Sequence, residues 1–248
     1  MARAAVLRRL TWQVVTVGEL RDETPHAKTL LIDAPEWAGH LPGQHVDIRL
    51  TAEDGYQAQR SYSIASAPED GRLALTVERI EDGEVSPYLT EEARPGDQFE
   101  LRGPIGGYFV WDGTRDAPLL LVGGGSGVVP LMAMLRHHRA TGSDVDARLL
   151  LSARALDDVL YRSELESLGE PVSVHITLTR GEAPPGWTGF TRRIDGEMLA
   201  NVGPGPDARP DVYVCGPTPF VEEAARLLVE LGHDPGKVYT ERFGPTGG

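Results

Sequence analysis

Apolar and polar residues alternate with a period of two through the first hundred residues, in short runs. The stretches 12–20, 28–33, 45–50, 61–65, 73–79 and 98–101 read as strands. Pro42-Gly43, Asp54-Gly55, Asp70-Gly71 and Pro95-Gly96 punctuate them as turn signals. Short, evenly spaced strands without a long helical repeat predict an antiparallel β-barrel. One short helix interrupts it, with Ser86 suited to the N-cap, Pro87 to the first helical position, and an end near residue 93.

The texture changes past residue 110. Compact apolar runs at 119–122, 147–151, 172–177, 212–215 and 238–240 fit strands buried on both faces. They alternate with helical patterns over 129–141, 161–168 and 220–231. That alternation predicts a doubly wound, five-stranded parallel α/β domain. The predicted fold class is therefore β + α/β, with residues 1–112 as the barrel domain and 113–248 as the α/β domain.

Composition narrows the function. A net charge of -13 weighs against generic binding to nucleic acid or an anionic membrane. Cys215 is the sole cysteine, which excludes an intramolecular disulfide and an iron–sulfur centre held by four thiolates of these residues. No run approaches ~18 apolar residues, and the first twelve residues hold no apolar stretch suited to a signal sequence, so the expected address is the cytoplasm. The histidines show no metal-ligand spacing. His137 and His138 are adjacent, point apart on a helix and read as surface. Neither a nucleophile elbow nor a zinc-protease motif is present, so hydrolase chemistry has no support.

Candidate chemistry clusters in four places. Arg60-Ser61-Tyr62-Ser63 offers a guanidinium for a pyrophosphate, an aromatic face for a flavin ring and a hydroxyl for its N5 edge, although the same residues fit an ordinary barrel strand. Gly83 and the helix start at Ser86 could meet the same pyrophosphate; Ser86 also reads as no more than a cap. Gly124, Gly125, Ser126 and Gly127 follow the first α/β strand and offer unhindered N–H groups to a phosphate, though the dinucleotide fingerprint fails at Val128. Ser152 and Arg154 end the second strand, where Arg154 stands in place of the carboxylate common at an unphosphorylated ribose. Arg180 and the pair Arg192-Arg193 could join it around a 2′-phosphate, or be solvated surface arginines. Cys215, Gly216 and Pro217 close the fourth strand. Glu241 and Phe243 follow the fifth.

In this order, the motifs resemble those of the ferredoxin–NADP reductase family. Arg60-x-Tyr62-Ser63 is similar to its flavin signature, Gly83-x-x-Ser86 to its flavin pyrophosphate turn, residues 123–130 to its pyridine-nucleotide loop, and Cys215-Gly216-Pro217 to its nicotinamide-proximal motif. The resemblance implies FAD in the barrel domain, held by Arg60, Tyr62, Ser63, Gly83, Ser86 and Phe243. It implies NADPH, with NADH less favoured, in the α/β domain, where Arg154, Arg180 and Arg193 hold its 2′-phosphate. Ser63, Cys215 and Glu241 stand nearest the hydride transfer. Electrons then pass singly to a ferredoxin, a flavodoxin or a monooxygenase component. Two other readings are a flavin or ferric-chelate reductase and a flavin-binding regulatory subunit without turnover. Two departures from the family are visible. Oxygenase reductase modules often carry a [2Fe–2S] domain, which these residues cannot supply. Chloroplast-type members end on a tyrosine that stacks on the flavin, whereas five residues follow Phe243 here.

Overall fold

The inward positions of the first hundred residues converge on one core. In a computed structural model, which describes residues 10–180 and 182–244, six antiparallel strands form one sheet. They are β1 (Gln13–Thr24), β2 (Ala27–Asp33), β3 (His45–Thr51), β4 (Gln57–Ser63), β5 (Leu73–Glu78) and β6 (Gln98–Ile105). Their order is β4-β3-β6-β1-β2-β5. The bridge Ile64–Leu75 joins the two edge strands and closes the barrel. Val15, Leu30, Val46, Ile48, Leu75 and Leu101 fill it and are buried.

Two details of the barrel differ from expectation. The strand bearing Arg60 runs over Gln57–Ser63, earlier than the predicted 61–65, because all seven of its residues pair with β3. The short helix is π-helical over Tyr88–Glu92, and Ser86 does not cap it. The Ser86 hydroxyl instead accepts from the Ile80 N–H at 3.0 Å, pinning the turn ahead of the helix. Val85 and Leu89 drop into the barrel end and are fully buried.

The α/β domain has β7 (Leu119–Gly124), β8 (Ala147–Ala153), β9 (Val172–Leu178), β10 (Asp211–Pro217) and β11 (Val238–Phe243). All neighbours are parallel, in the order β11-β10-β7-β8-β9. The order reverses between β7 and β10, so a crevice opens there at the carboxyl ends of the strands. β11 runs through Glu241 and Phe243, which pair with Cys215 and Pro217, so both belong to the last strand rather than following it. The short helix α3 (Gly196–Val202) and α4 (Thr218–Glu230) cover one face, together with Val122, Leu150 and Val214. Asp195 caps α3 by accepting from the Met198 N–H at 2.8 Å.

The helices α1 (Val128–Ala140) and α2 (Arg162–Ser167) cover the other face and sit against the barrel's outer wall. Their core contains Leu31, Ala65 and Ala74 from the barrel beside Leu131, Leu135 and Tyr161. This shared core fixes the α/β sheet over the barrel. It also corrects the reading of His137 and His138 as surface. α1 is covered on nearly all sides, and both histidines are buried. His138 stacks on Trp111 at 5.8 Å and His137 meets the same ring edge-on at 5.7 Å, while its Nδ1 lies 3.0 Å from Glu69 of the barrel. Arg136 adds a tie by donating to the Ala65 carbonyl at 2.6 Å and to Glu164 at 2.6 Å.

Candidate active site

One interdomain cleft gathers most of the nucleotide-side candidates, whereas Arg60, Tyr62, Ser63, Gly83 and Ser86 of the barrel do not line it. A space of about 500 Å³ is lined by Gly124, Gly125, Ser126, Ser152, Arg154 and Pro217 of the α/β domain and by His26, Glu78, Arg79 and Glu81 of the barrel, with Phe243 at its rim. Seven of the sequence-predicted residues thus meet in one place. The glycine loop reaches it by an unusually close approach. A Cβ on Gly127 would fall 2.1 Å from the Cys215 carbonyl oxygen and 2.7 Å from the Gly216 nitrogen. Only glycine lets the loop between β7 and α1 press against the end of β10, which sets the width of the crevice.

The arginines separate. Arg154 lines the cleft, and the Arg180 N–H donates to its carbonyl at 2.8 Å, so the two backbones are adjacent. Arg193 follows Phe190, which bridges to Thr177 at the end of β9, and does not line the cleft. Arg192 is engaged elsewhere, with Asp195 at 2.5 Å and Glu197 at 3.2 Å. Among the described residues no ion pair involves Arg154, Arg180 or Arg193, and all three are exposed.

On the barrel side, Tyr62 is half-buried, and burial pushes its phenol well above the usual range. Ser63 ends β4 opposite His45 of β3. His45 faces the α/β domain, with Nδ1 3.7 Å from Glu241 Oε1. Glu241 pairs in turn with Cys215. Ser63, His45, Glu241 and Cys215 therefore form one row across both domains. Burial pushes Glu241 up to about 7, and among the described residues its Oε2 has no hydrogen-bond partner. Burial holds the His45 imidazole below its ordinary value, with Asp47 opposing, and raises the Cys215 thiol, with Glu241 adding to the rise. At neutral pH Cys215 is a buried thiol rather than a thiolate nucleophile.

Gly83 and Ser86 share the turn that begins at Ile80, and Arg60 reaches that turn through Glu84, at 2.6 Å. His45, Glu84 and Tyr56 have no counterpart among the sequence candidates.

The family profile described as an oxidoreductase FAD-binding domain matches residues 21–110, and that described as an oxidoreductase NAD-binding domain matches residues 121–226. A ferredoxin–NADP reductase B from Sorangium cellulosum is 36% identical over 238 residues, covering 92% of this chain and 91% of its own. The chain belongs to the ferredoxin–NADP reductase family. Within that family, the glycine betaine monooxygenase reductase subunit of Pseudomonas aeruginosa is 33% identical over 220 residues. The match takes in 87% of this chain but 59% of that protein, so the chain spans less than two thirds of that relative. The crystal structure of a ferredoxin NADP+ reductase from Neisseria gonorrhoeae superposes with a TM-score of 0.81 at 21% identity, covering 93% of this chain and 98% of that one. The FAD-binding-domain match falls on the barrel and the NAD-binding-domain match on the α/β sheet. Among the described residues no helix is long and apolar enough to cross a membrane.

Proposed function

We propose that the chain takes a hydride from NADPH onto FAD and passes the two electrons singly to a separate ferredoxin, flavodoxin or monooxygenase component, in the cytoplasm. The domain boundary lies at 112/113. The observation that supports this reading is the contact of His45 with Glu241, which sets β3, the partner of the flavin-signature strand, against the last strand of the α/β sheet. The residues suit both cofactors. Gly127 keeps a tight phosphate loop, and among the described residues Arg154 is in no ion pair and the buried Glu241 Oε2 has no hydrogen-bond partner. When bound, the flavin converts a two-electron hydride donor into a one-electron donor.

The chain's own part is to hold and to exclude. Arg60 and the Gly83–Ser86 turn hold the pyrophosphate, and Tyr62 covers a ring face. Gly124 to Gly127, with Ser152, Gly216 and Pro217, seat the nicotinamide nucleotide. Cys215 and Phe243 wall the reacting atoms from water, Ser63 orients the flavin edge, and Glu241 holds a proton at its carboxyl below pH of about 7. Anaerobic NADPH should bleach the bound flavin, and cytochrome c reduction should depend on added ferredoxin. Bleaching without ferredoxin dependence would assign a small-molecule acceptor instead. An unbleached flavin would leave only a binding role.

Two variants test the seats. Arg60→Ala should weaken FAD at least ~10-fold, the scale of a lost charge-assisted hydrogen bond, in equilibrium dialysis; unchanged affinity removes Arg60 from the site. Arg154→Ala should raise KM for NADPH roughly 10-fold with kcat intact, because the 2′-phosphate binds far from the reacting carbon and contributes uniform binding. NADH kinetics should not move. Equal use of NADH by the unaltered protein would overturn the NADPH assignment. A 2′-phosphate would reach Arg192 only by displacing its exposed pairs with Asp195 and Glu197.

A further inference from the structure

Arg60 is not free. Its Nη2 lies 2.6 Å from Glu84 Oε2, and the other Glu84 oxygen accepts from the Tyr56 hydroxyl. Three segments thus meet on one carboxylate: Tyr56 from the loop between β3 and β4, Arg60 from β4, and Glu84 from the turn ahead of the π-helix. That turn is pinned. The Gly83 N–H donates to the Ile80 carbonyl at 2.9 Å, and the Ile80 N–H donates to Ser86 Oγ. The Glu84 backbone is therefore fixed close to Arg60, while its side chain is 43% exposed and, among the described residues, held by these two partners alone.

To a guanidinium and a phenol, a carboxylate presents the same acceptor chemistry as phosphate oxygens. We propose that Glu84 occupies, in the flavin-free protein, the seat of the FAD pyrophosphate, that Tyr56 and Arg60 are the donors of that seat, and that FAD binds by displacing Glu84. The inference rests on reading Arg60 as a pyrophosphate ligand. Glu84 is then a tethered competitor. An exposed ion pair is weak, and the incoming pyrophosphate carries more charge than one carboxylate, so displacement succeeds. It succeeds at reduced affinity, because the observed dissociation constant is the intrinsic one divided by the fraction of protein with an open seat. The displaced carboxylate also stays beside the phosphates as a like charge.

The test titrates FAD and riboflavin separately into flavin-free protein and follows quenching of flavin fluorescence. Glu84→Ala should tighten FAD by about 5–10-fold, as expected for a seat that is mostly closed. It should leave riboflavin, which has no phosphate, unchanged. Tyr56→Phe should weaken FAD ~3-fold in the Glu84→Ala background, where loss of the competitor cannot mask it. Equal or weaker FAD affinity in Glu84→Ala would overturn the proposal, as would equal tightening of riboflavin. Arg60→Ala separates the two levels: if it weakens FAD while Glu84→Ala does nothing, the displacement fails and the Arg60 reading survives. If Arg60→Ala does nothing, both fail.

Discussion

Gly127→Ala is expected to weaken NADPH binding roughly 100-fold while leaving FAD in place. The added Cβ would fall 2.1 Å from the Cys215 oxygen and 2.4 Å from its carbonyl carbon, and both are backbone atoms. A flexible side chain could turn aside, but a strand end paired on both flanks, with β7 and β11, cannot. The loop must therefore lift away, at a cost near the upper end for overpacking, about 3 kcal/mol. That corresponds to roughly 100-fold in affinity if the whole cost falls on the nucleotide seat. The barrel takes no part in this clash, so the protein should remain yellow. Gly125→Ala is the control. Its Cβ meets nothing within 4 Å among the described residues, and the left-handed φ of +56° opposes it, costing about 1 kcal/mol. A titration of the oxidised flavin spectrum with NADP+ reads both. Similar affinities for the two variants would show that the approach to Cys215 does not set the crevice.

Much of this arrangement was legible in the residues, and the limits have physical causes. The hairpin of β3 and β4 is symmetric about Asp54, where a turn signal stands, so His45 and Ser63 pair because they are equally distant from it. That pairing follows from the turn position alone, yet it gains meaning only once Glu241 is seen across the interface. The contact of His45 with Glu241 joins β3 to β11, which lie at opposite ends of the chain, and no local period encodes it. The histidines of α1 were misread for a related reason. An adjacent pair must point apart on a helix, but α1 lies between a sheet and a barrel and has little solvent face to give. Ser86 failed as a cap because its hydroxyl turned back to Ile80, a competing local bond open to any serine at a helix start. Glycine spacing located the nucleotide loop, while the reason for Gly127 emerged only with the opposing strand in place.

Glu241→Gln is expected to slow one flavin half-reaction about 100-fold, the low end for a positioned acid–base group, and to remove its pH dependence near 7. NADPH yields two electrons and a proton to one-electron acceptors, so one proton per turnover must leave the cleft. The Glu241 carboxylate, freed of its own proton above pH of about 7, is placed to take it, with His45 on β3 and the Cys215 thiol on β10 as its titratable neighbours. Reoxidation by ferredoxin in stopped flow should therefore rise through pH 7 in the unaltered protein and lie flat and low in the variant, with FAD content unchanged. Stability supplies a second readout with a fixed sign. Burial raises the folded carboxyl from its ordinary 4.5 to about 7. Between these values the folded chain keeps a proton that the unfolded chain has lost, so stability falls as pH rises across that window and levels off above it. Glutamine carries no charge and escapes the loss. Glu241→Gln should melt with the unaltered protein near pH 4.5 and above it at pH 8, by up to about 3 kcal/mol. A variant that melts lower at pH 8, with both half-reactions at full speed, would remove Glu241 from the proton's path.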